Sequence, residues 1–313
     1  MRQSKSTARL YVLLAREASV GVVFRRGPSG KVLIVKWNLK EDTFETGQWL
    51  KGRIYERRCD LSPDGRLLIY FAANQKPPYS AWTAISRPPF LKALALWPKR
   101  SCWGGGGQFY TATRILLNHE DHTFSLAEGY HLPKAFSVEA LGPHSGGGED
   151  DPIWSWRLQR DGWLWTQWPQ ELKEDRSGAI WIENVPAKVW QKPHPKWPEK
   201  YKLRQSILGI NEGGGPWHVI EHAILGPNGA VDSIGRSEWA DWDHNGDLLF
   251  AQSGCLYRLS PRRGKFPPVE LSKTIADLNG LVFNPLPAPP EASVWPKVRK
   301  NRADGPKSAS RRS

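Results

Sequence analysis

A short run of residues occurs twice in this chain, and it leaves few folds open. The first copy runs from Cys59 through Asp60-Leu61-Ser62-Pro63-Asp64-Gly65-Arg66-Leu67-Leu68 to Tyr70. The second runs from Ala240 through Asp241-Trp242-Asp243-His244-Asn245-Gly246-Asp247-Leu248-Leu249 to Ala251. Superimposed, the two share Asp, Gly and two Leu, with Ser against Asp and Asp against Asn. Each reads as strand, tight turn, strand. Asp-Gly and Asn-Gly supply the positive φ of the turn, and the apolar run behind it is a buried strand. A small sheet cannot bury both of its faces alone, so such units must stack and shield one another. Asp60 and Asp241 stand 181 positions apart. At ~40–45 residues per unit, about four units separate the copies.

The pattern Asp-x-Ser-Pro-Asp-Gly-Arg-x-Leu-x-Tyr at residues 60–70 resembles the inner-strand hairpin of a β-propeller blade, of the TolB-type and WD-repeat-like kinds. The second copy continues through Gly254 into Cys255–Leu259, a further turn and third strand, which also suits a blade. The Gly-His and Trp-Asp dipeptides of true WD repeats are missing at repeat spacing. The resemblance implies an all-β propeller of five to seven four-stranded blades, six of ~47 residues suiting the length. The propeller is expected to take up residues 1–290 as a single domain, with residues 291–313 as a disordered basic tail. It implies no activity, since propellers host many unrelated ones.

The rest of the chain agrees with an all-β reading. Its 26 Pro and 29 Gly are spread along 313 residues, which argues against long helices. Residues 18–37 form a hairpin, and strands follow at 43–56, 71–97 and 109–117. The Gly run at 104–107 is a loop, and residues 133–141 suit a short helix. Ile153–Arg160 faces Trp163–Trp168 across Asp161-Gly162 as a third hairpin. Alternation would put Trp154, Trp156, Leu158, Trp163 and Trp165 on one face. That face suits inter-blade core, with a stacking platform for sugars or bases as the alternative. Strands are expected again at 207–210 and 217–225, with a closing strand at 278–283.

Charge bears on partners. The net charge is +13, but residues 297–313 hold seven basic residues against Asp304, so about half of the excess sits in the tail. Three scattered cysteines, Cys59, Cys102 and Cys255, show no zinc spacing and read as buried reduced thiols of a cytoplasmic protein. The apolar run Leu10–Ala15 is too short for a signal-peptide core or a membrane span.

Four motifs suggest chemistry, and each has a plainer explanation. His218-Val219-Ile220-Glu221-His222 has the order of an inverted zinc-protease motif, which needs both His on one helical face. Here it sits among strand formers, and on a strand the two His stand roughly 13 Å apart, too far for one zinc ion. Asp241-Trp242-Asp243-His244-Asn245-Gly246 matches the start of a calcium loop, but the bidentate Glu is replaced by Gln252. His119-Glu120-Asp121-His122 reads as an exposed turn. No Gly run is followed by Gly-Lys-Ser/Thr, so none cradles phosphate.

The segment 186–204 interleaves Lys188, Lys192, Lys196, Lys200, Lys202 and Arg204 with Trp190, Trp197 and Tyr201. Basic and aromatic side chains together would hold phosphate and stack bases, and a solvated loop is the plainer reading. No catalytic residue, metal or cofactor is nominated. The leading expectation is therefore an interaction scaffold binding a protein partner on a propeller face. One alternative is an enzyme of hydrolase or lyase type, with its site where loops converge at a channel mouth. Another is nucleic-acid binding through 186–204 and the tail.

Overall fold

The computed structural model describes residues 7–27, 30–120, 124–174, 180–213 and 215–297. Five sheets follow one another along the chain. The first runs β1 (Arg9–Leu14), β2 (Val20–Arg26), β3 (Lys31–Asn38) and β4 (Thr43–Lys51), each antiparallel to the next. In the second, β5 (Arg53–Ile54) and β6 (Asp60–Leu61) both pair with β7 (Leu68–Ala73), and β8 (Ala81–Ser86) and β9 (Ala93–Lys99) follow outward. The third holds β10 (Gly107–Phe109), β11 (Arg114–Leu117) and β12 (Ser137–Ala140), with β12 parallel to β11. A helix, α1 (Asp151–Arg160), comes next. In the fourth, β13 (Leu164–Gln167) and β14 (Glu171–Glu174) pair with successive parts of β15 (Ile182–Pro193). That sheet continues through β16 (Lys202–Ile210), β17 (His218–Leu225) and β18 (Val231–Arg236). The fifth is β19 (Trp239–Trp242), β20 (Leu248–Gln252), β21 (Cys255–Leu259) and β22 (Lys273–Asp277).

The sheets form a ring, and the fold is an all-β propeller. β1 touches β6 on one side and β19 and β20 on the other. β10 touches β6 and β7, α1 touches β10 and β13, and β16 touches β19. The largest core cluster joins the inner strands of the first, second and fifth sheets, with Phe24, Leu33, Leu68 and Leu249 buried in it. A second joins α1 to the fourth and fifth sheets.

Both repeated hairpins occupy the same place, the inner pair of a sheet. Ser62 and Asp243 accept from the turn glycine in the same way: Gly65 N donates to Ser62 O and Gly246 N to Asp243 O. Both glycines have positive φ, 71° and 83°. A Cβ at Gly246 would lie 2.6 Å from the His194 ring, so a side chain there is excluded by space as well as by conformation.

Several expectations change. The five sheets of the described residues fall within the expected five to seven, one fewer than the favoured six, and the fourth takes in six strands. The third has only three strands. Ile153–Arg160 is helix, not strand. Pro152 sits in its first turn, and Ile153, Trp154, Arg157 and Leu158 form its buried stripe. Asp161-Gly162 is the helix C-cap rather than a hairpin turn: Gly162 has φ 87°, and Trp163 N donates to Leu158 O at 2.9 Å. Of the five residues expected on one face, Trp154, Leu158 and Trp163 are buried in one cluster with Trp165 packed against it, while Trp156 is 49% exposed. Residues 137–140 form β12 instead of a helix. The closing strand is Lys273–Asp277, ahead of 278–283. Residues 291–295 of the expected tail make contacts with the ring: Arg87 donates to Glu291 O and Val294 O, and Trp295 packs 4.9 Å from Phe136. Residues 298–313 lie outside the described residues.

Side-chain clamps close the ring. Arg25 on β2 donates from Nε to Leu278 O at 3.0 Å and from Nη2 to Asn279 O at 2.9 Å. Asn279 Oδ1 accepts from Ala8 N at 2.8 Å. Arg258 on β21 reaches Asp42 with Nε at 2.9 Å and Nη2 at 2.7 Å. Arg25 is 3% exposed, so its removal would leave buried carbonyls without donors. We expect Arg25→Ala to lower the unfolding free energy by about 3 kcal/mol, measured by urea denaturation. An unchanged midpoint would mean that the ring closes without this clamp.

Candidate active site

At one end of the ring axis lies a cavity of about 230 Å³. Its walls come from β1 and β2, the turn at 55–57, Asp150 ahead of α1, the start of β17, the approach to β19 and the β20–β21 turn. These are the converging loops that a channel-mouth enzyme requires.

Asp150 and His218 meet there. Asp150 Oδ1 accepts from Arg58 Nε at 2.8 Å, and Oδ2 lies 3.0 Å from His218 Nε2. Burial opposes the charge on Asp150, but His218, Arg57 and Arg58 outweigh it and hold the carboxyl far below its usual range. Burial, helped by the charge of Arg57, pushes His218 below its ordinary value although Asp150 pulls it upward. The pair is thus an ionised Asp150 and a neutral His218. Since the carboxylate can only accept, Nε2 carries the imidazole proton and Nδ1 holds the lone pair. The Trp154 ring stands 4.9 Å from the imidazole.

Glu238 is the third titratable group on the wall. Burial pushes its carboxyl up to about 7, against a hydrogen bond from its own backbone, the charges of Arg9 and Arg57, and a backbone hydrogen bond from Ser253. Glu56 behaves oppositely: burial opposes its charge, but Arg26 and Arg57 prevail and its carboxyl lies below the usual range. Arg26 Nη1 stands 3.0 Å from Glu56 Oε1.

Three buried side-chain atoms of this wall lack a partner among the described residues: His218 Nδ1, Glu238 Oε2 and Arg57 Nε. Buried polar atoms are normally satisfied, and an imidazole, a carboxyl group and a guanidinium that each keep such an atom on one wall make this cavity the candidate place for a ligand or reactant. At the opposite end, a cavity of about 320 Å³ has four carboxylates in ion pairs, while Arg16 Nε and Gln205 Nε2 on its wall also lack a partner among the described residues. Asp60 meets Arg160 at 2.5 Å, Asp161 meets Arg160 at 2.8 Å, Asp241 meets Lys192 at 2.6 Å and Asp243 meets Arg258 at 2.6 Å. Tyr11 lines both cavities.

The residues singled out in 186–204 are not brought together. They belong to β15, β16 and the link between them, not to a solvated loop. Lys188, Trp190 and Lys192 lie opposite Ile207, Gln205 and Leu203 in register, while Lys202 and Arg204 pair with Pro193 and Gln191 and point to the other face. Trp190 is wholly buried and Tyr201 is 6% exposed. Lys188 meets Asp151 at 3.1 Å, and Lys192 Nζ meets Asp241. In the link, Lys200 Nζ donates to Gly264 O at 2.6 Å, Trp197 stacks on His194, and the Lys196 amide donates to His194 Nδ1.

The other motifs resolve similarly. His218–Leu225 is the expected strand, and its two histidines have separate partners. His222 is buried between Ser237 and Gln205, and burial, with Arg57, pushes it down to about 3. In the calcium-like turn, Asp243 Oδ1 accepts from Asn245 N and Asp247 N, and the Arg258 guanidinium sits on Asp243 and Asp247, where a cation would go. His119 is buried against Thr83 rather than exposed, at 2.8 Å, and residues 121–123 lie outside the described residues. All three cysteines are free, Cys59 buried and the others half-buried. Among the described residues no group of three His, Cys, Asp or Glu could hold a metal ion, and no helix is long and apolar enough to cross a membrane.

No protein-family profile matches this chain, and no curated protein matches it. Among solved structures, the chain is similar to a Bacteroides fragilis protein described as a candidate 6-phosphogluconolactonase. The two are 8% identical, with a TM-score of 0.30, over 88% of this chain and 98% of that one. The scaffold expectation is corrected here. Its premise was the absence of a catalytic constellation, and the cavity of Asp150, His218 and Glu238 brings together the titratable groups of a candidate one. Sequence reasoning missed these residues because they come from positions 150, 218 and 238, on separate elements. The one available signal was His218, inside a motif set aside for its metal spacing.

The raised Glu238 carboxyl has a consequence for stability. A folded-state pKa above the ordinary 4.5 means that the native state binds the proton more tightly. The stabilisation is full below about 4.5 and is lost as pH rises to about 7, roughly 3 kcal/mol in all. We expect Glu238→Gln to gain stability relative to wild type as pH is raised from about 5 to about 8, followed by thermal unfolding. A pH-independent difference between the two would sink this assignment.

Proposed function

We propose that this chain is a hydrolase using general acid–base chemistry at the cavity of Asp150, His218 and Glu238. The observation that carries the reading is the imidazole of His218, a residue that lines the cavity, fixed by an ionised Asp150 through Nε2 and left with a buried Nδ1 unpartnered among the described residues. A neutral imidazole so oriented is a base, and the carboxylate stabilises the imidazolium that forms.

The steps balance. His218 Nδ1 takes a proton from a water molecule as its oxygen bonds to the electrophilic carbon of the substrate. The bond from that carbon to the leaving oxygen breaks, and protonated Glu238 gives its proton to that oxygen. Solvent then reprotonates Glu238 and removes the proton from His218. The acid works while Glu238 is protonated, which its value of about 7 permits near neutrality. The base works while His218 is neutral, which its lowered value favours. The two repeated hairpins further support assigning the blades to the TolB-type or WD-repeat-like kind.

The test is turnover of a panel of chromogenic esters, lactones and glycosides. We expect wild type to hydrolyse one class, with kcat/KM falling above about pH 7 as Glu238 ionises. His218→Ala should lose about 100-fold or more. Asp150→Asn should also lose activity, because its amide no longer dictates the imidazole tautomer. Hydrolysis that persists unchanged in His218→Ala, or no turnover of any class, would refute the assignment.

A further inference from the structure

We infer that the molecule bound at this mouth carries an oxyanion group, a carboxylate or a phosphate, seated on the edge of the Arg57 guanidinium. The inference rests on the reading of this cavity as the working site and names the substrate class.

Arg57 is 8% exposed, and its guanidinium carbon lies 5.0 Å from the Tyr11 ring centroid and 4.8 Å from that of Trp154. The N–H bonds of a guanidinium lie in its plane, and rings stacked against it hold that plane still. One edge is used: Nη1 stands 3.4 Å from Glu56 Oε1. Nε is buried with no acceptor among the described residues. A desolvated guanidinium N–H without an acceptor is costly, and an oxyanion is the partner whose geometry and charge match that edge.

Charge points the same way. Arg26 and Arg57 share the carboxylate of Glu56. Five arginines line the cavity, Arg9, Arg26, Arg53, Arg57 and Arg236, against the four carboxyl groups of Glu56, Asp150, Glu212 and Glu238, the last held toward its neutral form. A neutral ligand would leave this excess unanswered, whereas a small anion cancels it. Protonated Glu238 would add a neutral donor beside the anion, so the wall does not repel it.

The probes are inorganic phosphate and acetate, each against sodium chloride at equal ionic strength. Binding is measured by calorimetry and by the thermal midpoint of the full chain. We expect one or both to bind and raise the midpoint beyond the chloride control. Which of them binds better separates phosphate from carboxylate. Arg57→Lys keeps a charge beside Glu56 but lacks the fork, and it should bind the anion about tenfold more weakly. Arg16→Gln, at the opposite cavity, should bind it as wild type does. In crystals of wild type soaked in phosphate, an oxygen should lie within about 3 Å of Arg57 Nε, which decides the matter if the Lys variant does not fold.

The inference is overturned if neither anion outperforms chloride, if Arg57→Lys binds equally well, if Arg16→Gln loses the binding, or if phosphate occupies another place. His218→Ala separates the two readings. Lost turnover with no anion binding in any variant keeps the hydrolase and removes the anion. Anion binding through Arg57 with turnover indifferent to His218 does the reverse.

Discussion

The ion pair of Arg58 with Asp150 is the joint on which the mouth of this ring depends. Arg58 is 2% exposed, and its Nη1 also donates to Cys102 O at 2.6 Å and Gly104 O at 2.8 Å. One guanidinium thus ties the turn before β6, the glycine loop before β10 and the residue before α1. Through Asp150 it reaches His218 on β17. Taking two charges out of water is expensive, and such a pair holds only where further hydrogen bonds satisfy both partners. Here they do. Either partner without the other would be an uncompensated buried charge.

The glycine run makes this joint possible. Gly104, Gly105 and Gly106 all have positive φ, and a Cβ at Gly106 would stand 2.3 Å from Arg58 O. A side chain there would push the loop off the arginine it serves. The run is structural in the strict sense that only a bare backbone can approach Arg58 so closely.

The two ends of the axis differ in how charge is settled. At one, Asp60, Asp161, Asp241 and Asp243 each have a cationic partner, and the groups are committed to holding sheets together. At the other, among the described residues, the carboxyl of Glu238 has no cationic partner, and His218, Glu238 and Arg57 each keep a buried atom without a partner, as Arg16 and Gln205 do at the first end. Tyr11 stands between, its hydroxyl accepting from Arg157 Nη2 and its ring lying against Arg57. Closure of the ring by Arg25 and Arg258 therefore matters to chemistry as well as to stability, since β1 supplies part of both walls.

The residues alone determined the all-β character and the two repeated hairpins. Hairpins at 60–70 and 241–251 were legible because a two-fold alternation and an Asp-Gly or Asn-Gly turn are local properties of the chain. The same locality misled at 153–162. There Trp-Ser-Trp-Arg-Leu alternates like a strand, yet Ile153, Trp154, Arg157 and Leu158 also share a helical stripe, and Asp161-Gly162 serves a helix end as well as a hairpin. At 186–204 basic residues close in sequence fall on both faces of one sheet, Lys188 and Lys192 on one and Lys202 and Arg204 on the other. Only the tertiary structure decided the number of blades and the site. Residues 150, 218 and 238 meet because a closed ring brings its loops to one axis, and burial there, which no local pattern encodes, sets which of them holds a proton.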